Sequence, residues 1–114
     1  MSDATTTAAL TALRASRPKL DGSLVLAGTP GWDEARAVWN GLIDRHPVAV
    51  IRAASADDVV LGIGLARDHG LLIAVRGGGH NVAGNGTVDG GLVIDLSPMR
   101  EVRVDAAARS IHVQ

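Results

Sequence analysis

The clearest hydrophobic pattern lies in the middle of the chain. Val48-Ala49-Val50-Ile51 is an unbroken apolar run, as expected of a strand buried on both faces. Ser55-Ala56-Asp57-Asp58 then opens a helix. The Ser55 hydroxyl is placed to cap it, and Asp58, three residues on, to reach back to the cap amide. Val59, Ile63 and Ala66 fall on one side with Val60 beside them, which marks the packed face. Gly62 and Gly64 each cost about 1 kcal/mol of helix propensity, an expense offset if they let the helix approach a sheet closely. His69 suits the negative end of the helix and Gly70 is a left-handed stop. Leu71-Leu72-Ile73-Ala74-Val75 reads as a second buried strand. Strand, helix and strand make one βαβ unit, with a parallel pair and a right-handed crossover.

Weaker patterns flank this unit. Residues 7–15 read as a short helix carrying Leu10 and Leu13, and residues 24–26 as a brief strand closed by Gly28-Thr29-Pro30-Gly31. A short helix is predicted over 33–38. Trp32 and Trp39 share a face if it extends that far, and both are read as core residues. Downstream, Asp89-Gly90-Gly91 is a turn, and Leu92-Val93-Ile94-Asp95-Leu96 is a strand broken by Ser97-Pro98. Glu101-Val102-Arg103-Val104 and Ser110-Ile111-His112-Val113 alternate polar and apolar around a turn near 105–108. That pattern predicts a hairpin with one face buried. Its last strand is left without a neighbour, so the stop at Gln114 reads as premature and the edge invites pairing with a second chain.

Composition narrows the function classes. At 114 residues the chain holds at most one domain, and 46% hydrophobic content is ample for a core. That core is aliphatic, since Trp32 and Trp39 are the only aromatics. A net charge of −1 with scattered basic residues removes the footprint of a nucleic-acid binder. The absence of cysteine excludes disulfides, thiolate metal sites and cysteine nucleophiles within these residues. No apolar run approaches the ~20 residues of a membrane span, and no signal-peptide pattern opens the chain. A cytoplasmic protein without membrane or nucleic-acid partners is the expectation.

The chemistry concentrates in Arg76-Gly77-Gly78-Gly79-His80-Asn81-Val82-Ala83-Gly84-Asn85-Gly86, with five glycines in eleven positions. Glycines at the carboxyl end of a buried parallel strand stand where open α/β sheets bind ligands. Without Cβ atoms the main chain is approachable, and successive amides form a concave nest for phosphate oxygens. Taken alone, the run is equally a flexible strand connection. Arg76 either adds charge to the site or is a solvated strand end. Neither a G-x-G-x-x-G nor a P-loop can be drawn here, because Val82 and Asn85 occupy required positions. His80 shifts the balance toward a site: an imidazole closing a glycine run sits on an exposed, backbone-lined surface, available as nucleophile or ligand. It has no metal partners at ligand spacing, because His46, His69 and His112 lie in separate segments. No G-x-S-x-G accompanies it, so it is no triad base either.

The glycine run, followed by Asp89-Gly90-Gly91-Leu92-Val93-Ile94-Asp95-Leu96-Ser97, resembles the FAD-linked oxidases of the vanillyl-alcohol oxidase superfamily, and within it the berberine-bridge-enzyme-like group. Gly31-Trp32-Asp33 and Val38-Trp39-Asn40 upstream extend the similarity, as does the hairpin downstream. The resemblance implies an α+β fold: the first α/β subdomain of a PCMH-type FAD-binding domain, incomplete, with a βαβ unit followed by glycine loop, strand and hairpin. Residues 1–46 would be a helical and extended lead-in, and 47–114 the first part of the domain. It implies FAD as cofactor, with the diphosphate on the amides of Gly77, Gly78, Gly79, Asn81 and Val82, and with Arg76 and Gly84 in the same loop. It implies a covalent bond from His80 to the flavin's 8α-methyl carbon. His80 then tethers and tunes the flavin and is not the base. A small-molecule substrate would be oxidised only by a full-length enzyme, whose substrate domain supplies the catalytic base. The alternative is a truncated, non-catalytic module of the same fold.

Overall fold

A computed structural model of the chain describes residues 3–114. Helix α1 (Asp3–Ser16) passes through a 3₁₀ turn at Arg17–Lys19 to strand β1 (Ser23–Leu26) and the five-residue helix α2 (Trp32–Arg36). Strand β2 (Ala49–Arg52), helix α3 (Ala56–His69), β3 (Ile73–Arg76) and β4 (Leu92–Asp95) follow. The hairpin β5 (Val102–Asp105) and β6 (Ser110–Val113) comes last. None of these helices is long and apolar enough to cross a membrane.

The main sheet has the order β1-β2-β4-β3, with β1 antiparallel to β2 and the other three strands parallel. The predicted βαβ unit is therefore split. β4 lies between β2 and β3, pairing Ala49 and Ile73 through Leu92. An apolar run identifies a strand but not its neighbour. The run at 71–75 is accordingly an edge strand rather than one buried on both faces: Ala74 is buried, whereas Leu72, Ile73 and Val75 are exposed.

Alternation along β2 and β4 separates two cores. Ala49, Ile51, Leu92 and Ile94 meet α1 and α3 through Leu13 and Ala66. Val50, Val93 and Ala74 form a smaller core with Ala35 and the half-buried Trp32. Truncating Ile51 or Ile94 to Ala would cost about 2–5 kcal/mol. Gly62 allows the close approach: a Cβ there would stand 3.1 Å from Ile94 Cδ1 and 3.3 Å from Ile51 Cδ1. Gly64 has nothing within 4 Å and serves no such purpose. Because the helix sits down on Gly62, its packed stripe runs through Asp58, Gly62 and Ala66. The expected face is thus rotated, and Val60 and Ile63 stand exposed.

Helix α3 ends as predicted, on Gly70 with φ 63°. At its start the Asp58 amide donates to Ser55 Oγ at 3.3 Å. The Asp58 carboxylate also gathers amides beyond the cap: it accepts from Asp21 (2.9 Å), Gly22 (2.8 Å) and Ala54 (2.9 Å). Burial pushes this carboxyl up, but the surrounding amides, led by Ala54, pull it down further, to below the ordinary carboxylate value.

Two expectations fail on burial. α2 ends at Arg36, too early to carry Trp39, which is 69% exposed. The hairpin forms with Val102 opposite Val113 and Val104 opposite Ile111, yet all four are exposed. Alternation decides which side chains share a face; it does not supply a surface to cover that face.

Candidate cofactor site

The three parallel strands end in Arg52, Asp95 and Arg76, directly opposite one another in the ladder. Asp95 is buried. Its Oδ2 lies 3.5 Å from Arg52 Nε and 3.4 Å from Arg76 Nη1, and its Oδ1 accepts the Ser97 amide at 2.9 Å. Two guanidiniums on one carboxylate leave the carboxyl edge of the sheet locally positive. A signal for this group exists in the sequence: Arg52 and Arg76 directly follow their apolar runs, Asp95 follows Leu92-Val93-Ile94, and a buried acid requires a partner.

Arg76 is turned under the glycine run rather than into solvent. Its side chain is 21% exposed, and Nη1 also donates to the Ala35 carbonyl at 3.5 Å. Its Nε is buried with no partner among the described residues. Gly79 crosses directly above at φ 73°, where a Cβ would come within 2.9 Å of that Nε. Only glycine passes there without strain.

Gly77 and Gly78 are exposed, as are His80, Asn81 and Val82, whereas Gly79 and Gly84 are buried. The His80 ring folds back along the loop, with Nδ1 3.5 Å from the place of a Gly78 Cβ. Asn81 shapes the turn behind it: its carbonyl accepts the Gly84 amide at 3.0 Å and its Oδ1 the Asn85 amide at 3.2 Å. Among the described residues, no amide from 77 to 83 donates to a protein acceptor. A cleft of about 430 Å³ borders Gly77 and Gly78, with Arg52, Arg76, Ser97 and Arg100 in its wall. A smaller one of about 230 Å³ borders the same two glycines together with His80, Asn81 and Asn85. Unpaired amides bordering two clefts, beside a positive strand edge, suit an anion with several oxygens. A diphosphate fits the residues present. Among the described residues no group of three or more His, Asp or Glu is placed to hold a metal ion.

Sequence reasoning did not foresee what holds the loop from behind. The Trp39 amide donates to the Gly79 carbonyl at 2.8 Å, and Asn40 Nδ2 to the Val82 carbonyl at 2.8 Å. Arg45 Nη1 donates to the carbonyls of Gly84 (2.8 Å) and Thr87 (3.2 Å). Ile43 fills the space where a Gly84 Cβ would stand, at 2.8 Å. Arg36 of α2 secures this segment through Asp44 and the Arg45 carbonyl. Its hydrogen bond, with its charge second, keeps the Asp44 carboxyl below the ordinary range.

The profile of a family described as "FAD binding domain" matches residues 47–114. The chain is 38% identical over 88 residues to (R)-6-hydroxynicotine oxidase of Paenarthrobacter nicotinovorans, covering 77% of this chain and 19% of that protein. Among solved structures, Physcomitrella patens BBE-like 1 superimposes with a TM-score of 0.77 at 26% identity, over 89% of this chain and 22% of that one. Glucooligosaccharide oxidase from Acremonium strictum, described with a 6-S-cysteinyl, 8α-N1-histidyl FAD, gives a TM-score of 0.75 at 28% identity, over 83% and 20%. The chain spans about a fifth of the length of the curated relatives it matches.

Proposed function

The chain belongs to the FAD-binding domain family of the FAD-linked oxidoreductases, and from that premise we propose that residues 76–82 hold the FAD diphosphate while His80 tethers the flavin covalently. The observation that carries the first half is the run of amides 77–83 without a protein acceptor. Apart from Gly79 these residues are exposed, so their amides face solvent in the free chain, and a phosphate oxygen is the acceptor a nest of this kind suits. Gly77, with nothing within 4 Å of the place of a Cβ, leaves the approach open, and Arg52, Arg76 and Arg100 outweigh the one carboxylate, Glu34, along the neighbouring cleft. Arg76 acts from beneath, holding Gly79 and the strand ends, more than as a direct ligand. Gly84 acts from behind, by admitting Ile43.

The tether rests on different support. The His80 imidazole is exposed at the rim of the loop, and a related oxidase is described with a histidyl flavin. When bound, FAD supplies the hydride acceptor for oxidation of a small molecule. That oxidation is proposed for a protein carrying the full length of its relatives. Within it, residues 47–114 contribute the first part of the cofactor domain, and residues before 47 the lead-in that supports it.

Acid precipitation of the flavin-loaded protein followed by digestion tests the tether. Yellow, fluorescent material is expected on the peptide containing His80. Colour found wholly in the acid supernatant, or on a peptide lacking His80, contradicts it. His80→Ala should leave flavin that binds more weakly and dissociates in acid, because the amides remain.

A further inference from the structure

A peptide unit is planar and trans, so its carbonyl and its amide point in opposite directions. Fixing one fixes the other. The Trp39 amide holds the Gly79 carbonyl at 2.8 Å, which turns the His80 amide the other way. Asn40 Nδ2 holds the Val82 carbonyl at 2.8 Å, which does the same for the Ala83 amide. Asn40 is itself fixed, because its Oδ1 accepts the Leu42 amide at 3.1 Å and its carbonyl the Ile43 amide at 3.0 Å. Arg45 secures Gly84 and Thr87 beyond it. The groups that do the holding, on Trp39, Asn40 and Arg45, all precede residue 47, where the match to the family profile begins.

We propose that residues 39–45 form a positioning strap for the cofactor loop, with Asn40 as the residue that aims its amides. This inference rests on the reading that residues 76–82 hold the FAD diphosphate, and it adds the Ala83 amide, next in the run and turned by the Asn40–Val82 bond, to the groups that do so. The strap acts through the loop's carbonyls. It draws the loop's carbonyls backwards, so that the nest is preformed before FAD arrives and less ordering is required on binding. The Asn40 side chain is suited to the task because it donates to Val82 while accepting from Leu42. Aspartate at this position keeps the acceptor and loses the donor.

The test is titration of the chain and of its Asn40→Asp and Asn40→Ala variants with FAD and with ADP, which share the diphosphate. Amide resonances are recorded alongside. Both variants should bind both probes about tenfold more weakly, the loss of one well-made hydrogen bond. The His80 and Ala83 resonances should move in the ligand-free variants while those of β4 stay in place. A purely structural role would not confine the change in this way. Unchanged affinity in both variants overturns the strap and leaves the loop reading intact. Affinity lost together with the β4 resonances also overturns it, since Asn40 would then serve the fold as a whole. An unmutated chain that binds neither FAD nor ADP overturns the loop reading, and the strap with it.

Discussion

Two parts of the molecule gather backbone amides, and they resolve the same chemical need in opposite ways. At Asp58 a buried carboxylate accepts from Asp21, Gly22 and Ala54, tying the β1 lead-in to the start of α3. At residues 77–83 the amides have no acceptor among the described residues, and the glycines leave them uncovered. The first cluster carries its own anion and is closed. The second is exposed and stands beside the positive strand ends at Arg52 and Arg76. The contrast teaches that an amide cluster serves stability when the protein provides the negative charge, and binding when it leaves that charge to a ligand.

The largest effect is expected at the closed cluster. Asp58→Ala leaves three amides without their acceptor and should lower stability by about 3 kcal/mol or more, measured by urea denaturation, with little direct effect on the loop. Next is Gly79→Ala. A side chain at φ 73° with Arg76 Nε 2.9 Å away should cost about 1–2 kcal/mol and also weaken FAD binding, read by titration on the same samples. Acid titration gives a smaller signal. The folded Asp58 carboxyl lies below its unfolded value of about 3.9. Its contribution is therefore present above that unfolded value and is lost as pH falls through the folded value. Stability measured from pH 6 downward should show that loss in the native chain, and it should be missing from Asp58→Asn. The smallest change in stability belongs to Gly77→Ala. Nothing lies within 4 Å of the added Cβ, so the midpoint should move by no more than about 0.5 kcal/mol. FAD affinity should nevertheless fall, because the methyl group stands where the ligand approaches. Equal FAD affinity in Gly77→Ala would break the comparison.

The closed cluster was half legible in the sequence. Ser55 and Asp58 announced the helix start, and Gly70 its end, because capping is local chemistry. That Asp58 also reaches Asp21 and Gly22, thirty-seven and thirty-six residues away, depends on the path of the chain and left no local mark. The open cluster was legible as a glycine run with a histidine. Its supports were not: Trp39 was read as a core side chain, whereas its amide does the holding and its indole is exposed. Strand order was hidden for a related reason. The runs at 48–51, 71–75 and 92–96 look alike, and only the folded sheet shows that β4 separates the other two. Asp95 stood inside one of those runs as a visible acid, but its two arginines come together only at the ends of three aligned strands.

Amide hydrogen exchange, with and without FAD, tests the open cluster most directly. The amides of Asp21, Gly22 and Ala54 should be protected in both states. Those of residues 77–82 should exchange rapidly in the free chain and slow by at least about tenfold when FAD is saturating. Protection at 77–82 before any flavin is added, or rapid exchange that persists in the complex, would contradict the assignment of these amides to the diphosphate.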